Sequence, residues 1–133
     1  MQIIHPLKDK EARISSPFGM RYHPIQKKHK MHNGIDLAVP IETPIYAVVK
    51  PTSYQILKQP AGAGEYIKML YKTPQGNEVG IYYMHLLKGL DLKDIEQGDL
   101  IGFTGNSGSS TGPHLHFGIQ VNWKWVEPTQ YIV

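Results

Sequence analysis

His114 and His116 stand two residues apart in Gly112-Pro113-His114-Leu115-His116-Phe117, an apolar, strand-like run. Residues i and i+2 of a β-strand face the same way, so both imidazoles share one surface while Leu115 faces the other. Co-facing imidazoles suit metal binding or proton transfer. Strand geometry alone allows both rings to bind one metal. A second cluster, His32-Asn33-Gly34-Ile35-Asp36, sets an imidazole and a carboxylate four residues apart. An extended chain turns the two to one side. A helix would also bring them together, but Asn33 and Gly34 disfavour helix interiors. Such a pair is typical of zinc, with ligand distances of about 2.0–2.2 Å. A third histidine, His85, closes the run Ile81-Tyr82-Tyr83-Met84-His85-Leu86. Alone it reads as a surface residue or a satisfied core group; the other clusters add weight to a chemical role. The chain has no cysteine. A metal site must therefore use His, Asp or Glu, and no disulfide is available; this is compatible with an oxidising compartment without requiring one.

The elements that must hold these residues read as strands. Ile45–Val49, Ser53–Lys58, Tyr66–Lys72, Glu78–His85, His114–Val121 and Lys124–Val126 are short and rich in β-branched or aromatic residues. Thr73-Pro74-Gln75-Gly76-Asn77 reads as a hairpin loop, and Glu96-Gln97-Gly98-Asp99 as a turn. Leu90–Ile95 reads as one helical turn. Ser15-Ser16-Pro17-Phe18-Gly19 carries a turn signal, and the polar, basic residues 21–34 read as a surface loop. Thirteen glycines and ten prolines fit an all-β chain with many turns. The expected fold class is mainly β: a small antiparallel sheet domain with long loops at one end. Tyr82 and Tyr83 alternate, so one belongs to the core. Trp123 and Trp125 read as packing residues, and His5 as exposed. The Gly- and Ser-rich Gly105–Gly112 lacks the Gly-Lys-Ser/Thr ending of a phosphate-binding loop. Its small residues let the backbone turn tightly before His114.

With 133 residues the chain holds one domain with a real core. Its formal net charge is +3, and the densest basic run is Lys27-Lys28-His29-Lys30. That run reads as a solvated loop or as attraction to an anionic partner such as a cell-envelope polymer. No helix-turn-helix, zinc-finger or aromatic RNA-binding pattern accompanies the charge, so nucleic acid is not an expected partner. No apolar run reaches the length of a membrane span. Met1 to Lys10 has no continuous apolar segment and does not read as a signal peptide. Export by another route, release, or an origin as one domain of a longer protein all fit.

From about Ile14 to Gln120 the chain resembles the lysostaphin- or LytM-type zinc metallopeptidases, which cut peptidoglycan peptides. The resemblance is carried by ordered motifs: Ser16-Pro17-Phe18-Gly19-Met20-Arg21-Tyr22-His23-Pro24, His32-Asn33-Gly34-Ile35-Asp36-Leu37-Ala38-Val39-Pro40, Thr43-Pro44-Ile45-Tyr46-Ala47, Tyr83-Met84-His85-Leu86, Gly98-Asp99-Leu100-Ile101-Gly102, and Gly105 through Phe117. It implies one Zn²⁺ held by His32, Asp36 and His116, with His85 and His114 catalytic. It implies a lysostaphin-like peptidase fold with the metal in a long open groove, which Tyr22 and His23 could border. The single domain 1–133 then divides into a lead-in (1–13), a catalytic core (14–120) and a C-terminal packing segment (121–133). The implied partner is the peptide stem or cross-bridge of bacterial cell wall, and the implied place of action is the cell envelope or the extracellular space. Three protein ligands leave zinc a position for water or substrate, and zinc lowers the pKa of bound water from about 15.7 to about 7. A neutral imidazole can take a proton, and a protonated one can stabilise charge on the carbonyl oxygen. The motifs do not divide these roles between His85 and His114. The sequence His-Glu-x-x-His is absent, so glutamate-based zinc chemistry has no support.

Three segments depart from the family pattern. Glu42 stands where glycine is usual before Thr-Pro, Lys50-Pro51-Thr52-Ser53 replaces a smaller turn, and Gly64-Glu65-Tyr66 also varies. All lie in connecting regions away from the inferred ligands. Two other functions compete with a zinc endopeptidase. One is a noncatalytic relative that binds cell wall or activates another hydrolase; such a domain is expected to lack some of the five residues present here. The other is a wall-cutting component of a phage tail or secretion machine.

Overall fold

The computed structural model describes residues 1–23 and 27–133 and is almost entirely β. In chain order the strands are β1 (Ile14–Ser16), β2 (Gly19–His23), β3 (Lys28–His32), β4 (Ile35–Leu37), β5 (Pro44–Tyr46), β6 (Ser53–Gln59), β7 (Gly64–Lys72), β8 (Glu78–Gly89), β9 (Leu100–Thr104), β10 (Leu115–Val121) and β11 (Lys124–Val126), followed by one 3₁₀ turn at Pro128–Gln130. Nine strands form one antiparallel sheet in the order β1-β4-β10-β8-β7-β6, with β11 beside β10 and β9 linking β8 to β5. Strands β2 and β3 form a separate two-stranded ribbon.

Side-chain alternation explains the core. On β10, Leu115, Phe117 and Ile119 face inward and are fully buried; on β8, Val79, Ile81 and Tyr83 do the same. The Tyr83 and Phe117 rings lie 5.4 Å apart. Tyr83 keeps its hydroxyl satisfied there by accepting the Val48 N–H at 3.1 Å. Burial pushes that phenol's pKa upward. The opposite faces of β10 and β8 carry His116 and Met84, which sit directly across from one another.

The expected antiparallel β architecture is observed, and each of the six expected strands has a counterpart. Four local expectations change. The segment 21–34 differs from the expected surface loop: its described residues 21–23 and 28–32 belong to the β2–β3 ribbon, and residues 24–26 lie outside the described residues. Leu90–Ile95 contains no helical turn. His5 is buried, because Ile3 bridges to Ile132 and draws the N-terminal residues into the core with Leu7. Its Nδ1 accepts the Leu7 N–H at 3.0 Å. Trp123 is 68% exposed, whereas Trp125 does pack, 5.0 Å from the Tyr82 ring.

Candidate metal centre and substrate groove

Sheet register brings the expected ligands together. His116 on β10 lies directly opposite Asp36 on β4, so both side chains leave the sheet on one face. His116 Nδ1 approaches Asp36 Oδ1 at 2.8 Å. The other side of the His116 ring rests over Gly34, where a Cβ would lie 2.8 Å from His116 Nε2 and 2.5 Å from the Phe117 carbonyl oxygen. Only glycine leaves the ring room there. His32, at the end of β3, points its Nε2 to within 3.4 Å of the same Asp36 oxygen. Its Nδ1–H donates to the Pro17 carbonyl at 2.9 Å, which leaves the Nε2 lone pair facing the cluster. One donor atom from each of His32, Asp36 and His116 lies within 4.8 Å of the others. Two imidazoles and a carboxylate converging this closely fit a zinc ion.

The carboxylate is held ionised. Burial alone would raise the Asp36 pKa, but hydrogen bonds and charge from His116 and His32 outweigh it and hold the group well below the usual carboxylate range.

His85 reaches the same face by a different route. Tyr83 and Leu86 are both fully buried although they are three positions apart. Opposite them, Ile67 and Glu65 are only two residues apart, so β8 carries one extra residue at Met84-His85. This bulge turns His85 out of the core face. His85 takes a left-handed φ of 64°, a conformation that costs a non-glycine residue about 1–2 kcal/mol. Its N–H bond to Ala63 O at 2.8 Å and its ring bond to Ser107 O at 2.8 Å hold it in place. Burial depresses the His85 pKa, partly offset by the Ser107 carbonyl.

His114 follows the tight loop expected from its small residues. Gly105 bridges to His114 and passes so close to β8 that a Cβ would sit 2.4 Å from Leu87 N. His114 Nδ1–H donates to Gly112 O at 2.8 Å, and its ring centroid lies 4.9 Å from that of His85. His114 Nε2 is 3.6 Å from Asp36 Oδ1, at the margin of the cluster. All five sequence-selected residues line one groove of about 900 Å³.

Sequence reasoning missed the carbonyls of Pro17, Ser107 and Gly112, which orient three of the four imidazoles; no residue type announces a carbonyl partner. Tyr22 lies on the outer face of the ribbon against His29, 5.5 Å between centroids, and does not line the groove. The His23 side chain falls outside the described residues.

The sequence pattern of Peptidase family M23 matches residues 30–128, which span all five histidine and aspartate positions. The chain belongs to Peptidase family M23. It is 39% identical, across 82% of its length, to the peptidoglycan DD-endopeptidase ShyA of Vibrio cholerae, covering 25% of that protein. Among solved structures it superposes on a zinc-containing peptidase from Vibrio cholerae with a TM-score of 0.83 and 30% identity, covering 96% of this chain and 39% of the other. On the catalytic domain of lysostaphin from Staphylococcus simulans the TM-score is 0.73 at 27% identity, with 90% and 91% covered. The fold is thus that of lysostaphin-like M23 peptidases. The chain spans about a quarter of the length of the curated relatives it matches.

Proposed function

We propose that this M23 domain is a zinc-dependent endopeptidase that hydrolyses peptide cross-links or stem peptides of bacterial peptidoglycan. The observation that carries the reading is the convergence of five side chains in one groove, with His32, Asp36 and His116 close enough to share a metal ion and His85 and His114 beside them; in this reading the first three are the zinc ligands and the last two the catalytic groups. A relative named as a peptidoglycan DD-endopeptidase supports the substrate class. Residues 1–133 act as a single peptidase domain, at the cell envelope or outside the cell, alone or within a larger envelope, phage or secretion assembly.

A zinc ion in the cluster supplies a Lewis acid and a water of lowered pKa. The remaining chemistry belongs to the chain's own imidazoles. His85 and His114 each donate through Nδ1 to a backbone carbonyl, so each presents Nε2 as the free, proton-accepting atom. One such nitrogen can take the proton of the attacking water and deliver it to the leaving amine. The other, when protonated, can donate to the carbonyl oxygen as negative charge develops on it. Their adjacency lets either ring reach the same reacting carbonyl.

The test is metal analysis of the purified protein together with mass spectrometry of fragments released from cell walls of two chemotypes, one directly cross-linked and one bridged by glycine. Near-stoichiometric zinc, cleavage lost on chelation and restored by zinc, and a defined set of severed peptide bonds are expected. Protein that neither retains nor takes up zinc and releases no fragment would favour the noncatalytic binding reading.

A further inference from the structure

The groove is electrically lopsided. Arg13, Arg21 and Lys30 line it, with Arg21 and Lys30 on the His32 side, whereas Gly62, Ala63 and Ser109, small and neutral, line it beside His85. Asp36 is the only acidic side chain along the described groove, and its carboxylate is already committed to the histidines. Among the described residues none of the three cations forms an ion pair with a carboxylate.

The ribbon register makes this arrangement costly. Arg21 on β2 lies directly opposite Lys30 on β3. Like charges at directly opposed positions destabilise an antiparallel pair. Lys30 also precedes His32 by two residues, so it shares a ribbon face with that histidine, about 7 Å away along the strand. The alternate face carries Met20, Met31 and Tyr22, all exposed. The ribbon therefore turns its cations, not its apolar side chains, toward the groove. Arg21 is also fixed: its guanidinium donates to Ser16 Oγ, and that buried oxygen lies 3.4 Å from His32 Nδ1. One guanidinium bond is used, and the remaining N–H groups are available to a ligand.

We propose that Arg21 and Lys30, with Arg13 lining the same groove, read a free carboxylate on the substrate, within about two backbone positions of the scissile amide. An extended peptide rises about 3.3–3.6 Å per residue, which matches the ribbon spacing from His32 to the cation pair. A carboxylate there relieves the repulsion between Arg21 and Lys30 and gains charge-assisted hydrogen bonds. The proposal rests on the peptidase reading for its substrate class. It makes these residues determinants of specificity rather than catalytic groups. It also selects among wall chemistries: a cross-link bearing a carboxylate next to the scissile amide is preferred over a glycine bridge or an amidated equivalent.

The probe is a pair of synthetic D-alanyl-diaminopimelate cross-linked peptides that differ only in a carboxylate or carboxamide next to the scissile bond. Binding is measured by calorimetry, and cleavage is measured separately on the zinc-loaded protein. The free acid is expected to bind about 10- to 100-fold more tightly than the amide, the range of a charge-assisted contact. That preference should shrink with added salt, since exposed charges are screened. Lys30→Gln should collapse the acid-to-amide ratio toward one, and Lys30→Arg should restore it. Arg21→Gln should act similarly; because it also removes the bond to Ser16, Lys30→Gln serves as the variant free of that contact. Equal affinity for the two peptides in the unsubstituted protein, or an unchanged ratio in Lys30→Gln, overturns the inference even if both peptides are cleaved. A clear preference in binding without any cleavage would sink the peptidase reading and leave the carboxylate site standing.

Discussion

His32 with His116 and His85 with His114 are two pairs of the same side chain, and they differ in what holds them. The first pair shares a carboxylate: His32 Nε2 and His116 Nδ1 both turn to Asp36. The second pair is held from behind by backbone carbonyls, as His32 also is, and its closest approach to the carboxylate is His114 Nε2 at 3.6 Å, beyond hydrogen-bond distance. A carboxylate gathers nitrogen donors around a charge. A carbonyl orients a ring without supplying one. In the proposed reading the same imidazole serves in one place to hold a cation and in the other to move a proton. Their ring centroids remain close, with His85 and His116 6.2 Å apart, so the difference is one of partners rather than location.

The sharpest way to break this contrast is to remove one member from each pair. His116→Ala and Asp36→Ala should lose both bound zinc and all measurable cleavage. Zinc should raise the melting temperature of the unsubstituted protein and leave that of His116→Ala unmoved, because only a native-state ligand stabilises by mass action. His85→Ala and His114→Ala should retain zinc and lower turnover by about 10²–10⁴-fold. Metal content measured by mass spectrometry, beside the rate, separates the two classes. Zinc loss in His114→Ala would move that residue into the ligand set, a result its 3.6 Å approach to Asp36 makes worth measuring.

A smaller perturbation acts through position alone. Gly105→Ala would push a Cβ into the backbone at Leu86 and Leu87, with approaches of 2.8 and 2.4 Å. Backbone cannot rotate away as a side chain can, so the loop carrying His114 must shift. Overpacking of this kind costs about 1–3 kcal/mol. A displaced His114 should lower turnover while zinc content, set by the other pair, stays near that of the unsubstituted protein. Denaturant melts with zinc analysis check both halves of that expectation.

These outcomes bear on what the sequence could disclose. The convergence of the candidate site residues is legible in the sequence because strand alternation puts His114 and His116 on one face, and because His32 and Asp36 sit at a compatible spacing. The bulge that turns His85 was not legible, since nothing in Tyr83-Met84-His85-Leu86 states that β8 holds one residue more than β7 does. The ribbon formed by residues 19–23 and 28–32 is hidden for another reason. Its alternation is present, with Met20 and Tyr22 on one side of Arg21, but the apolar face is exposed and the charged face lines a groove. A reading that assigns apolar residues to the interior sees only a polar loop. His5 was misread because its burial depends on Ile3 meeting Ile132 at the far end of the chain.

The two pairs should also part company on acidification of the metal-free protein. The Asp36 pKa is depressed in the fold, so its stabilising contribution is complete above the ordinary carboxylate value of about 3.9 and is lost as pH falls below it. The His85 pKa is depressed chiefly by burial. Below about pH 6.5 the unfolded chain therefore binds a proton that the folded chain resists, and stability falls through that higher window. His5, buried and also depressed, adds to the same window. Stability measured against pH should thus fall in two stages. His5→Gln with His85→Gln should flatten the upper stage, and Asp36→Asn the lower. A single transition, unaffected by the histidine substitutions, would remove the distinction.

The smallest expected effect lies outside both pairs and serves as their control. Glu42 occupies a position where the family resemblance leads to an expectation of glycine, and its φ is 69°. A side chain there costs about 1–2 kcal/mol, of which glycine's extra unfolded-state entropy would return about 0.5–1. Glu42→Gly should therefore stabilise the protein by about 0.5–1 kcal/mol, or roughly 2–4 °C in melting temperature. The exposed Glu42 side chain forms no ion pair among the described residues, and the Glu42 N–H bond to Thr104 O at 2.8 Å is a backbone contact that glycine keeps. Zinc content and turnover should both hold at their original values. A change in either would mean that this turn, on the strand connection leading to β5, is coupled to the groove, and the separation between ligand pair and proton-moving pair would then have to include the loop that supports them.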